Sequence, residues 1–268
     1  MARRVSRRAR GGILAALLLV DAVCGAHAAI PLTERQVLLN LYTGTHGGSW
    51  VNSTGWNGPA GTECGWYGVT CDAGQTHVEF IQLIDNGLSG TLPALNALQR
   101  LQIFDVHSNA VGGSIPPLAG LPYLSFFLCD RNMMTGSIPP LPSNMSVFTA
   151  FENHLSGSIP PLAGLSSLSV FAVSTNQLTG TIPMLHGLSN LDTFVAFDNK
   201  LSGSIPSLAG LGKLGDFSVG SNLLTGPIPA LTGLGALTTF EASHNQLSGP
   251  LPNLSGLTAL VDFYAYDN

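Results

Sequence analysis

The sequence predicts an α/β, mainly β solenoid: a right-handed superhelix of stacked coils with a parallel sheet on its concave side and a small helical, disulfide-bearing cap at its N-terminal end. Three observations predict it. An asparagine returns at positions 86, 109, 132, 153, 176, 199, 222, 245 and 268, every 23 residues except for the 21 between Asn132 and Asn153. Around it run three uninterrupted columns: a Phe (Phe104, Phe127, Phe148, Phe171, Phe194, Phe217, Phe240, Phe263), a Gly four residues after each Asn, and a Pro seven after it. The segment Pro31 to His77 lacks the period and reads as the atypical end unit that closes a solenoid's core.

Length and composition set the outer bounds. Of 268 residues, 45% are hydrophobic and only 9% charged, which suits one globular body rich in Gly and poor in ions. Met1 to Arg10 carries five arginines, Gly11 to Val20 is apolar, and Ala26-His27-Ala28 supplies the small residues that a signal peptidase requires. Residues 1–28 are therefore expected to be a signal peptide cleaved after Ala28, followed by a cap at 29–77 and about eight to nine repeats at 78–268. The apolar stretch is far short of the roughly 20 residues that span a bilayer. Taking five arginines and Asp21 away from 10 basic and 15 acidic residues leaves 5 against 14, a formal charge of −9. Such a body repels nucleic acid and anionic lipid and draws cationic partners toward itself. Of four cysteines, Cys24 leaves with the leader, Cys64 and Cys71 are close enough to bridge, and Cys129 is left alone. An export signal with a local Cys pair indicates an oxidising, extracellular compartment.

The cap is expected to begin with a helix. Thr33 is placed as its N-cap and Glu34 in its first turn; Val37, Leu38, Leu41 and Tyr42 share one face, and Gly44 ends it. Trp50, Trp56 and Trp66, the only tryptophans, follow and are expected to fill the cap's core, with a Trp-lined ligand site as the alternative. Within each repeat, the stretch before the Asn alternates as a short strand with one buried face, as in Leu168-Ser-Val-Phe171-Ala-Val173-Ser-Thr-Asn176. Each repeat is too short for a helical crossover, so successive strands should stack in parallel, with extended and 3₁₀ pieces on the outer side. The Phe column is then an aromatic ladder, each ring burying area worth about 1.5 to 3 kcal/mol. The Asn column lies where the chain bends out of the strand, and its amides can satisfy backbone groups of the next coil. Gly permits backbone geometry closed to other residues, and Pro holds an extended conformation. Cys129, three residues before Asn132, falls in the column of Val106, Ala150, Val173 and Ala196, and is expected to be a small core residue.

These residues carry a resemblance. The run Asn176-Gln-Leu-Thr-Gly-Thr-Ile-Pro183 is similar to the leucine-rich repeat of the plant-type class, and the likeness extends over roughly residues 78 to 268. Glu34 to Tyr42, Ser49-Trp50 and Cys64-Gly-Trp-Tyr-Gly-Val-Thr-Cys71 resemble that family's N-terminal cap. The resemblance implies a non-enzymatic recognition module; members include ectodomains of receptor kinases and receptor-like proteins and secreted inhibitors of pectin-degrading enzymes. This chain departs from the family pattern in having Phe for Leu at the strand centre, 23 residues per repeat, and a stop at Asn268 without a C-terminal cysteine cap. A fragment of a longer receptor, with a membrane span or kinase beyond, is therefore an alternative, and cell-surface attachment goes with it.

If Phe and the residue two after it point inward, the remaining strand positions form the concave face. Beyond residue 78, every acidic residue is expected at such an outward strand position, whereas Arg100, Lys200 and Lys213 fall on the convex side and Arg131 is the one Arg or Lys on the concave strands. Nine strands about 4.8 Å apart span roughly 40 Å, enough for a protein surface. The expected partner-binding set begins with Asp105, His107, Asp130 and Arg131, continues with Phe151, Glu152, Asp192, Phe197 and Asp198, and ends with Asp216, Glu241, His244, Tyr264 and Tyr266. Phe126 is also on this face but is expected to pack against its neighbours. The partner expected there is an extracellular protein or peptide with a basic surface; solubility alone is the competing explanation of the carboxylates, and a structural wall protein the competing function.

Enzyme chemistry is weakly signalled. His107, Ser108 and Asp130 are triad residue types, but no nucleophile elbow or phosphate loop appears, and an open sheet excludes water poorly. Asp85, His107 and Asp130 offer metal-ligand types with nothing to fix their geometry. No cofactor is expected. Glycosylation sequons occur at Asn52, Asn144 and Asn253.

Overall fold

A computed structural model describes residues 29–268; the expected leader lies outside them. The nine strands before the Asn residues join one strand of the N-terminal segment in a sheet of ten, ordered along the chain: Val69–Cys71, Val78–Gln82, Ile103–Asp105, Phe126–Leu128, Val147–Thr149, Val170–Ala172, Thr193–Val195, Asp216–Ser218, Thr239–Glu241 and Asp262–Tyr264. The first two pair antiparallel and the rest in parallel, with each Phe opposite the next, as in Phe171 beside Phe194 and Phe148. The period of the sequence thus becomes the register of the sheet.

The aromatic ladder is present. From Phe104 to Phe263 successive rings stack with centroids 5.2 to 6.0 Å apart and planes 11 to 19° from parallel. Phe104 to Phe240 are fully buried, and Phe263, on the last described coil, is half-buried. Cys129 is free and buried in this core, where burial pushes its thiol well above the usual value.

The Asn ladder does what the bend requires. Asn176 Nδ2 donates to the carbonyls of Ala150 (2.9 Å), Ser174 (3.1 Å) and Val173 (3.2 Å), and Oδ1 accepts the Leu155 N–H at 2.8 Å. The same set recurs at Asn132, Asn153, Asn199, Asn222 and Asn245. Among the described residues, no buried side-chain nitrogen or oxygen lacks a partner.

The outer side is extended, as expected, but among the described residues the 3₁₀ pieces expected beside those segments are absent from it. Leu-Ser/Thr-Gly segments after each Asn pair with one another, giving a five-stranded parallel sheet (Ser89–Thr91, Ala110–Ser114, Met133–Gly136, His154–Ser158, Gln177–Thr179) and a three-stranded one (Ser202–Ser204, Leu223–Gly226, Gln246–Leu247). Ser89–Thr91 and Ser202–Ser204 hold no buried residue; each of the other six has one, the Leu or its equivalent (Val111, Met134, Leu155, Leu178, Leu224, Leu247). Gly180, at φ 77°, closes the segment in the left-handed region that its column reserves for glycine. The 3₁₀ turns, Gly47–Ser49 and Glu63–Gly65, belong to the N-terminal segment.

That segment starts with a helix at Leu32–Gly44. Thr33 does not cap it: the helix begins one residue earlier, with Pro31 at the N-cap and no side-chain cap bond. The fixed φ of proline suits the entry to the first turn, which here proceeds without a side-chain cap. Glu34, read from sequence only as a first-turn acid, is buried and accepts the Val78 N–H (2.8 Å) and a bond with His77 Nδ1 (2.6 Å), tying the helix to the first repeat strand. Trp50, Trp56 and Trp66 are buried in mutual contact, and their indole N–H groups donate to Thr45 O, Tyr67 O and Thr62 Oγ1. Cys64 and Cys71 form a disulfide.

Candidate binding face

The exposed face of the ten-stranded sheet is built from three residue columns. Counting back from each Asn, side chains six, four and two residues before it leave the sheet on the side away from the Phe ladder. One further column was missed. The residue immediately before each Asn (Asp85, Ser108, Arg131, Glu152, Thr175, Asp198, Ser221, His244, Asp267) has φ between 45° and 57°, and none is Gly. This left-handed residue makes the bend that the Asn then braces, and it sets its side chain along the edge of the sheet. The sequence signal for it is a column made only of polar and charged residues.

The expected site residues accordingly divide. Arg131, Glu152, Asp198 and His244 stand on the bend edge, all exposed. Asp192 precedes its strand, and the others rise from the face itself. The structure separates them further by what they touch. Asp105 and Asp130, 6% and 5% exposed, are engaged within the fold: Asp105 Oδ1 holds His107 Nδ1 at 2.7 Å, and Asp130 accepts the Thr149 hydroxyl. His107 thus pairs along its own strand instead of with Asp130, so the triad residue types are not assembled. Arg131 lies 5.2 Å over the Phe151 ring and 3.3 Å from a Glu152 oxygen, so this cation is neutralised by its own neighbour. Phe126 is 37% exposed and is not packed away.

Toward the C-terminal end the acids converge. Asp216 is half-buried; burial raises its carboxyl above the usual range, the nearby Asp192 and Glu241 charges add to this, and the Ser218 hydroxyl at 2.6 Å opposes it. Glu241 is held by the Gly220 N–H (2.7 Å), the Ser243 N–H (3.0 Å) and the Ser243 hydroxyl. Tyr264 and Tyr266 meet edge to face, His244 packs edge-on to Tyr266, and the Tyr264 hydroxyl donates to Asp262, which raises the phenol's pKa. A shallow hollow of about 420 Å³ lies between Phe197 and these rings. Among the described residues, no group of three or more His, Cys, Asp or Glu side chains is arranged to hold a metal ion, and no helix is long and apolar enough to cross a membrane.

Residues 31–72 match the family model "Leucine rich repeat N-terminal domain". The repeats after them superpose on solved leucine-rich repeat structures of plants. One is the ectodomain of the Arabidopsis thaliana membrane receptor kinase GASSHO1/SCHENGEN3 in complex with CASPARIAN STRIP INTEGRITY FACTOR 2, with a TM-score of 0.77 and 30% identity over 86% of this chain. The chain is thus similar to plant-type leucine-rich repeat ectodomains in its fold, and to that family's N-terminal domain in its first described segment. A second similar structure is the plant peptide hormone receptor RGFR1 in complex with RGF2, with a TM-score of 0.68 and 33% identity over 70% of this chain. A third is PEPR1-AtPEP1, with a TM-score of 0.68 and 26% identity over 88% of this chain. This leucine-rich repeat chain spans 29%, 32% and 38% of the GASSHO1, RGFR1 and PEPR1 structures, about a third of their length. No curated protein matches it in sequence.

Proposed function

We propose that this leucine-rich repeat chain is a secreted, non-enzymatic recognition module that binds an extracellular protein or peptide with a basic surface across the exposed face of its ten-stranded sheet. One observation carries the reading. Every Asp and Glu after residue 78 lies in a strand of that sheet, within three residues after one, or, for Asp192, directly before one, while Arg100 and Lys213 lie on the turns that lead into the strands and Lys200 on the outer side. Solubility would be served equally by scattered ions, and adjacent like charges about 5 Å apart repel by close to 1 kcal/mol in water, a standing cost that only a use would offset. Exposed Phe126, Phe197, Tyr264 and Tyr266 supply aromatic anchors amid the acids. One similar structure is a plant peptide hormone receptor in complex with RGF2, which favours a peptide.

The test is capture of extracellular proteins on immobilised chain at low and high salt, with wild type beside a variant carrying Glu152→Lys, Asp198→Lys and Asp267→Lys. These side chains are exposed bend residues, so melting temperature should be unchanged while salt-sensitive capture is lost. Equal capture by both proteins would overturn the reading. A second reading, the ectodomain of a receptor-like protein or receptor kinase, is favoured by the receptor identity of the neighbours; a stop codon directly after Asn268 in the coding sequence would remove it.

A further inference from the structure

The hollow near the C-terminal end of the sheet has a floor of small residues and one carboxylate. In the column two residues before each Asn stand Phe197, Gly220, Ser243 and Tyr266 on consecutive strands, so two rings about 14 Å apart bracket a Gly and a Ser. Gly220 is there for a reason the packing makes explicit: a Cβ on it would stand 2.0 Å from Glu241 Oε2. The Glu241 carboxylate occupies that space, pinned by the Gly220 and Ser243 N–H groups. One wall is Phe197; the other is the mutually packed group Tyr264, Tyr266 and His244. Phe197, Tyr264 and Tyr266 are 40%, 44% and 56% exposed, so the rings present faces to solvent instead of to the core. No Lys or Arg lines the hollow.

From this we infer a subsite for an arginine side chain of the bound peptide, its guanidinium on the Glu241 carboxylate and stacked against Tyr266 or Tyr264. A fixed carboxylate at the bottom of an aromatic-walled trough selects a planar cation: the fork pairs with both carboxylate oxygens, and the flat face lies on a ring. Lysine, a strongly hydrated point charge, gains less from the walls, and a neutral side chain leaves the carboxylate without a counter-charge. Asp216 and Asp262 nearby, with no cation among them, deepen the negative potential of the trough.

The inference rests on the sheet-face reading above, and its test separates the two. The full chain, isotope-labelled, is titrated with acetyl-arginine amide and, in parallel, with acetyl-citrulline amide, which keeps shape and loses charge. The expected result is saturable shifts of the Gly220, Ser221, Ser243 and His244 amides with the arginine probe, suppressed by salt and absent with citrulline. Tyr266→Ala should weaken the probe about fivefold or more. Gly220→Ala, which puts a methyl where the carboxylate rests, should abolish the shifts while leaving the remaining amide spectrum in place. Equal response to citrulline, no response at tens of millimolar, or indifference to Tyr266→Ala would each overturn the subsite. If capture of a partner succeeds and is untouched by Tyr266→Ala, the subsite fails and the module reading stands; if arginine binds and nothing is captured, the reverse holds.

Discussion

A left-handed residue that is never glycine stands at the exit of every repeat strand, and Thr175 is the least suited of them. Its β-branched side chain at φ 51° crowds the following carbonyl, at a cost of about 1 to 2 kcal/mol that glycine would not incur. Thr175→Gly should therefore leave stability unchanged or raise it by up to about 1 kcal/mol, the relief of strain being partly offset by the entropy of a freer unfolded chain. Chemical denaturation reads this directly; a clear loss would mean that the Thr side chain contributes contacts the bend needs. The next residue behaves oppositely. Asn176→Ala strands an N–H of one coil and carbonyls of two, and should cost about 1 to 3 kcal/mol. Cys129 is predicted to be inert: with its thiol buried and its pKa raised, alkylation in the native state should be negligible and become complete only on unfolding, as mass spectrometry would record.

At the scale of the element, the ladder of rings is the main stabiliser. Phe171→Ala removes a ring with stacked neighbours at 5.6 Å on both sides and should cost about 3 to 5 kcal/mol, whereas half-buried Phe263 has one such neighbour and should cost less. Denaturant midpoints of the two variants, with slopes compared, check the order. This ladder was fully legible because Phe at a fixed interval has no other economical reading. The Asn ladder was legible for the same reason. The outer strands were not: Leu-Ser/Thr-Gly is only three residues long, and Gly and Ser are poor strand formers, so their pairing follows from the stacking imposed by the first sheet instead of from local preference. Thr33 was misplaced because a hydroxyl cap and a Pro start compete two residues apart, and Glu34 was undervalued because its partners lie more than forty residues away. On the face, composition told which residues would be polar but not which would pair with each other. Asp105 with His107, and Arg131 with Glu152, satisfy themselves; Gly220 and Glu241 needed coordinates to become a floor.

For the whole molecule, charge is concentrated where folding makes it costly. Asp216 has its carboxyl raised by burial first, then by Asp192 and Glu241. A raised pKa means that the folded state binds the proton more tightly than the unfolded chain. The associated stability is fully present below the ordinary value of 3.8 and is lost as pH rises through the higher folded value. Asp216→Asn, which mimics the protonated form, should accordingly melt higher than wild type at neutral pH, with the two melting curves converging in acid; melting temperature followed from pH 3 to 8 would show a constant gap if burial were not the cause. Added salt should narrow the neutral gap by screening the Asp192 and Glu241 contributions, but not the desolvation that dominates.

The coil between Asn132 and Asn153 is two residues shorter than its neighbours, yet Phe127 and Phe148 remain in register at 6.0 Å, and fully buried Met145 fills the place of the usual Leu. The missing length is taken entirely from the connection Pro139 to Asn144, remote from the acids. Loop length there is a free parameter of the architecture. A reporter peptide grafted between Ser143 and Asn144 should leave both ladders and the docking surface intact, which makes that point the natural attachment site for immobilising the protein without blinding it.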